Sequence, residues 1–127
     1  MLGDKAAAAT IAVKDMAMAR EFYEGKLGLK AMEGEDKGGQ MYKSGDSMVF
    51  VYQSGFAGTN KATAASWGVG DDIEAVVKEL AAKGVVFEHY DNLPETTVQG
   101  DLHIMGDMKA AWFKDPDGNI LNIVNKM

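Results

Sequence analysis

Two histidines, His89 and His103, are the side chains of this 127-residue chain best suited to exchange a proton or bind a metal near neutral pH. Carboxylates stand near them in sequence: Glu88, Asp91 and Asp101. Imidazole nitrogens with carboxylate oxygens are the donor set of divalent catalytic metals, so a metal site is one reading. The other, favoured here, is a pair of exposed or half-buried strand residues. His89 alternates with Val85 and Phe87, as a structural strand residue does. His103 falls in the least regular stretch, Asp91–Gly106, where it is better placed to touch a ligand as a hydrogen-bonding or acid–base group. The chain has no cysteine, which removes disulfides, thiolate zinc sites, thiol nucleophiles and iron–sulfur clusters. It also has no Ser/His/Asp elbow and no phosphate-cradling glycine loop.

Charge narrows the partners further. Nineteen acids against thirteen bases give a net charge of −6, the wrong sign for a nucleic-acid phosphate backbone. Arg20 is the single arginine, so one chain cannot supply a cluster of bidentate anion clamps. No apolar run is long enough for a transmembrane helix, so no membrane partner is expected. The Ala-rich stretch Ala6–Val13 is too short and too weakly preceded by charge for a secretory signal, and a cytoplasmic location is expected.

The elements that position these groups come in two copies. Residues 5–28 lie over 61–84 without a gap, and eight of the twenty-four positions are identical, among them Val13/Val69, Asp15/Asp71 and Gly28/Gly84. The chain therefore reads as one domain, residues 1–127, made of two modules at about 4–53 and 60–126. Each opens with an apolar strand, Ala6–Val13 or Ala62–Val69. Each continues into a helix with an N-capping aspartate, Asp15 or Asp71, and a C-terminal glycine, Gly28 or Gly84. Met16, Ala19, Tyr23 and Leu27 recur at helical spacing in the first, and Ile73, Val76, Val77 and Leu80 in the second. Three strands follow in each half: about Leu29–Glu33, Gln40–Lys43 and Ser47–Gln53, then Val85–Tyr90, Met108–Lys114 and Asn119–Asn125. The fold class is α+β, strand-helix-strand-strand-strand twice over. Asp91–Gly106 is either a lid-like loop or a hairpin excursion.

Val13-Lys14-Asp15, Ala19-Arg20-Glu21-Phe22-Tyr23 and Leu27-Gly28-Leu29 resemble the opening of the vicinal oxygen chelate superfamily. That superfamily groups glyoxalase I, bleomycin-resistance proteins, fosfomycin-resistance enzymes and extradiol dioxygenases. Trp112-Phe113-Lys114-Asp115-Pro116-Asp117-Gly118-Asn119 resembles its closing hairpin. The resemblance implies two modules whose sheets form a concave cleft with helices behind, usually in a dimer. It also implies where a metal would be held: His at positions 8 and 64, and a carboxylate on each module's last strand. Those positions are Ala8, Ala64, Asn122 and a first-module residue between Val49 and Tyr52, in a strand with no acid from Ser47 to Ser54. The usual metal site is expected to be absent, and no cofactor is expected.

Strand alternation then gives a face for each residue. Ala8, Thr10, Ala12, Ala64, Ser66 and Gly68 are expected to line the cleft, with Ile11, Val13, Trp67 and Val69 under the helices. Phe50 and Tyr52 share a face and supply an aromatic wall, Asn122 offers a donor and an acceptor, and Trp112 is equally consistent with core and with ligand stacking. A roomy, aromatic-edged cleft without metal ligands suits a metal-independent protein that sequesters a hydrophobic or aromatic small molecule, an antibiotic among the candidates. In that respect it resembles the bleomycin-resistance branch. The candidate binding residues are Ala8, Thr10, Phe50, Tyr52, Ala64, Ser66, His103, Trp112 and Asn122, in a homodimer. The alternatives are a metal-dependent glyoxalase- or dioxygenase-like enzyme with non-standard ligands, and a metal-free acid–base enzyme using His103.

Overall fold

The structure, a computed structural model, describes residues 1–33 and 38–126. The first half runs β1 (Ala9–Val13), α1 (Met16–Arg20) extended by a π-helical turn (Glu21–Lys26), β2 (Lys30–Ala31), β3 (Gly39–Ser44) and β4 (Ser47–Gln53). The second runs β5 (Thr63–Gly68), a 3-10 turn (Gly70–Asp72) leading into α2 (Ile73–Ala82), β6 (Phe87–Glu88), β7 (Thr97–Gln99), β8 (Leu102–Met105), β9 (Met108–Lys114) and β10 (Ile120–Val124). The strands form two mixed sheets, ordered β1-β4-β3-β2 and β5-β10-β9-β8-β7, with β6 also paired to β9. Since β6 and β8 bond to different stretches of β9, the second sheet repeats the order of the first with a β7–β8 hairpin added. That hairpin is the content of the irregular segment Asp91–Gly106.

Local chemistry accounts for most of these boundaries. The Asp15 carboxylate accepts from the backbone N–H of Ala17 at 2.8 Å and of Met18 at 3.3 Å, capping α1. Gly28 and Gly84 have φ of +75° and +92°, the left-handed geometry that closes a helix. Asp71 does not cap α2. It lies within the 3-10 turn, and Asp72 precedes the helix without a side-chain bond. β1 begins three residues later than expected, because Ala6, Ala7 and Ala8 are exposed and alanine has little intrinsic preference for a strand. β2 and β6 are two residues each, well short of Leu29–Glu33 and Val85–Tyr90. In the first helix the Leu27 N–H donates to the Phe22 carbonyl at 3.0 Å, five residues back. Phe22 and Tyr23, three and four residues after the buried Ala19, complete the apolar face of this helix and are both buried.

The core lies on the helix side of both sheets. Ile11, Val13, Val49 and Val51 of the first meet Phe87, Ala111, Phe113, Leu121 and Ile123 of the second, with Phe22, Tyr23, Ile73 and Leu80 from the helices. The Phe22 and Phe113 rings, 6.4 Å apart, bridge the two halves. So does a polar latch at the β9–β10 turn. Asp115 is only 5% exposed. One of its carboxylate oxygens accepts from the Tyr23 hydroxyl and the Asn119 amide, both at 2.8 Å, and the other from the backbone N–H of Asp117 and Asn119. Asn119 also donates to the Ala12 carbonyl at 2.7 Å, and the Asp117 carboxylate accepts from the Lys14 N–H at 3.0 Å. The Asp-Pro-Asp-Gly-Asn turn thus clasps the end of β1. Burial, then the adjacent Asp115 charge, drives the Tyr23 phenol far above its ordinary value, so it remains a donor throughout the working pH range.

Candidate functional site

The faces opposite the helices hold most of the candidate residues. On the first sheet Thr10 stands opposite Phe50 and Ala12 opposite Tyr52 across the β1–β4 ladder. The Phe50 and Tyr52 rings stack with centroids 5.8 Å apart and planes 4° from parallel. Gly39 allows this: a Cβ there would stand 2.7 Å from the Phe50 ring. On the second sheet Ser66 pairs with Asn122, and Asn122 with Trp112. His103 pairs with Ala110, two residues before Trp112, which puts it on the same face. Thr10, Phe50 and Tyr52 therefore form one group, and Ser66, His103, Trp112 and Asn122 another, each on its own sheet.

Three expectations need correction. Ala8 precedes β1 and is exposed, outside any strand row. Ala64 is the extra residue of a β-bulge, since Ile120 pairs with Thr63 and Leu121 with Ala65. The bulge breaks the alternation there, and Ala64 touches the core cluster instead of continuing the Ser66 row. His103 is neither exposed nor half-buried: it sits in a regular strand with none of its surface reaching solvent. His89 is the more open of the two, bonded through Nε2 to Asp101 at 2.8 Å.

The expected empty volume on the second sheet is filled by the protein itself. Trp112 on β9 donates from its indole nitrogen to the Thr63 hydroxyl on β5 at 3.2 Å. β10 runs between those strands, so the indole crosses it on the side faced by Ile120 and Asn122. Its ring meets His103 edge-on at 4.9 Å and Tyr90 at 5.5 Å. Beneath this cover lie two buried side-chain atoms without a protein partner, the Asn122 Oδ1 and the His103 Nδ1. Among the described residues nothing donates to the Asn122 Oδ1, although the residue is only 6% exposed.

The protonation of His103 follows from its contacts. The Tyr90 N–H donates to Nε2 at 2.9 Å, so Nε2 keeps its lone pair and the neutral ring carries its proton on Nδ1. Burial lowers the pKa below 6.5; the backbone of Ala110 opposes this, His89 adds to it, and Asp91 opposes it. A folded-state value below the unfolded one means that the unfolded chain takes up the proton first on acidification. Stability is then complete above about pH 6.5 and falls as pH drops from there toward the folded value. Thermal melts between pH 7.5 and 5.5 are expected to show this decline, and His103→Gln to flatten it. A wild-type profile as flat as that of the variant would refute the assignment.

A metal does not fit here. Thr10 pairs with Phe50 as Ser66, 56 residues on, pairs with Asn122, which makes Phe50 the counterpart of Asn122. The four positions where the family resemblance implies ligands thus hold Ala8, Phe50, Ala64 and Asn122, which offer no imidazole or carboxylate. Among the described residues, no group of three or more His, Asp or Glu side chains is close enough to hold a metal ion.

A separate crevice of about 580 Å³ opens on the helix side, between Leu27–Lys30, the β3–β4 turn, Trp67 and α2. No motif or periodicity points to it. Trp67, whose indole nitrogen donates to the Ser44 hydroxyl at 2.9 Å, closes one wall and is partly buried against the core, as expected. No buried unpaired polar atom faces this crevice, whereas both such atoms of the described chain belong to the sheet face. The sheet face is therefore the stronger ligand candidate.

Residues 5–123 match the sequence profile described as Glyoxalase/Bleomycin resistance protein/Dioxygenase superfamily. Among solved structures, a glyoxalase family protein from Enterococcus faecalis superposes with a TM-score of 0.72 at 19% identity, covering 98% of this chain and 99% of that one. The fosfomycin resistance protein FosX from Mesorhizobium loti gives 0.69 at 12% identity, with 98% and 93% covered. An integron cassette protein from the mobile metagenome of the Halifax Harbour sewage outfall gives 0.69 at 20%, with 95% and 97% covered. At these identities the likeness is one of fold. No protein of curated function matches the sequence significantly. Among the described residues, no helix is long and apolar enough to cross a membrane.

Proposed function

The chain belongs to the Glyoxalase/Bleomycin resistance protein/Dioxygenase superfamily, and from that premise we propose that it binds a hydrophobic or aromatic small molecule without a metal. An antibiotic, held unaltered as in the bleomycin-resistance branch, is one candidate ligand. The observation that carries this reading is that the implied ligating positions hold Ala8, Phe50, Ala64 and Asn122, while aromatic side chains stand on the outer faces of both sheets. Metal chemistry needs donors that these residues lack, whereas stacked rings beside a few polar groups suit a flat apolar ligand. A net charge of −6 favours a neutral or cationic ligand over an anionic one. A homodimer belongs to the proposal, because Thr10 and Met48 leave the first sheet's outer face exposed beside the Phe50–Tyr52 pair, a surface that a second copy would cover.

Native mass spectrometry of untagged, freshly purified protein tests the whole reading. The expected species is a dimer without divalent metal, and planar aromatic compounds are expected to raise its melting temperature. Stoichiometric zinc, nickel, manganese or iron would overturn it, and so would a broad panel of aromatics that leaves the melting temperature unchanged.

A further inference from the structure

The second sheet's outer face combines an uncommon set of features. It carries a buried carboxamide whose Oδ1 has no hydrogen-bond partner, a buried imidazole whose Nδ1 has no well-formed bond and only the Ala110 backbone nearby, and an indole lying across them. Buried polar groups are nearly always paired, and in the described chain these are the only two side-chain atoms that are not. What covers them is weakly held. The indole is fastened at its far end by one long hydrogen bond, 3.2 Å, to an exposed threonine hydroxyl. Its ring is flat and aromatic, the shape of ligand that the face is suited to hold.

We propose that Trp112 is a displaceable lid occupying the ligand position, and that the ligand is a flat aromatic lactam paired edge to edge with the Asn122 carboxamide. This rests on the reading of the sheet faces as the binding surface. A lactam presents an N–H beside a C=O on one edge. Its N–H donates to the Asn122 Oδ1 and its carbonyl accepts from the Asn122 Nδ2, the two-bond pattern by which a carboxamide reads a heterocycle edge. His103, with its proton on Nδ1, supplies a further donor to the same region. The ring then stacks where the indole lay and takes over its edge contacts with His103 and Tyr90, while Trp112 turns outward and gives up its bond to Thr63. The protein holds this face closed with its own aromatic group, and the ligand exchanges that cover for one that also satisfies the polar atoms beneath.

Three probes of nearly equal size separate the possibilities: quinolin-2-one, its N-methyl derivative, and naphthalene. The protein, labelled with 5-fluorotryptophan, has two fluorine resonances, Trp67 and Trp112, assigned by Trp67→Phe. Quinolin-2-one is expected to shift the Trp112 resonance and leave that of Trp67 in place. N-methylation of the probe and Asn122→Leu are each expected to weaken binding by about tenfold or more, the loss of a hydrogen bond to a buried group. Without any ligand, Asn122→Leu is expected to raise the melting temperature, because it removes an unpaired polar group of similar volume. The lid and the lactam class are overturned if naphthalene binds as tightly as quinolin-2-one with the Trp112 resonance unmoved. That result leaves the aromatic-binding reading standing. They are also overturned, in the same way, if Asn122→Leu lowers the melting temperature or if quinolin-2-one fails to bind while other aromatics do. Failure of every aromatic compound removes both.

Discussion

Replacing Asp115 by alanine is expected to destabilise the protein by about 3–5 kcal/mol, because it leaves more than one buried donor unpaired at about 1–3 kcal/mol each. For a chain of this size that lowers the melting temperature by roughly 10–20 °C. The carboxylate accepts four hydrogen bonds, from the Tyr23 hydroxyl, the Asn119 amide and two backbone N–H groups. Alanine leaves the Tyr23 hydroxyl buried without an acceptor, and Tyr23 is wholly enclosed, so water cannot take over. It also frees Asn119, whose amide ties the turn to the Ala12 carbonyl. The loss therefore falls on the joint between the two halves. Asp115→Asn keeps the shape and one acceptor oxygen, and is expected to lose less. Thermal and urea melts followed by circular dichroism measure both, and an Asp115→Ala midpoint within roughly 3 °C of wild type would refute the account.

Gly58→Ala is expected to cost about 2–5 kcal/mol, although it adds a single methyl group to an exposed linker. Gly58 has φ of +74°, and a Cβ there would stand 2.1 Å from the Asp117 carbonyl oxygen. Two penalties combine: left-handed backbone for a residue with a Cβ, and an overlap with backbone that cannot rotate away. Gly100→Ala separates them. Its φ is +62°, yet nothing lies within 4 Å of its Cβ position, so only the conformational penalty of about 1–2 kcal/mol applies. Equal melting temperatures for the two variants would show that the approach of the linker to Asp117 contributes nothing.

Much of the fold was legible because the relevant residues have narrow roles. An aspartate at a strand-to-helix junction and glycines at helix ends have few alternatives, and Asp15, Gly28 and Gly84 all behave accordingly. Ile11 and Val13 face the core because a clear apolar alternation says so. Where contrast is missing, the sequence is silent. In β9, Ala110 and Ala111 are both buried, so alternation could not reveal which side Trp112 takes. In β8, His103 read as a polar residue bound for the surface, whereas Trp112 and Tyr90 from other segments enclose it. The π-turn at Glu21–Lys26 and the bulge at Ala64 each add one residue to a regular period, which no periodic pattern can anticipate. The same is true of the crevice beside Trp67, which exists only because two distant segments are held a set distance apart.

The β9–β10 turn ties the second half of the chain to the first. Among the described residues, every strand pairing lies within one half of the chain, and the turn reads only groups at the end of β1 and on the first helix: the Ala12 carbonyl, the Lys14 N–H and the Tyr23 hydroxyl. An identical set on a second molecule would satisfy the turn equally well. What selects the chain's own first half is the nine-residue connection from Ser54 to Ala62, which holds the two at an effective concentration on the order of millimolar. The choice between closing on itself and exchanging halves with a neighbour is therefore set by tether length, not by contact chemistry.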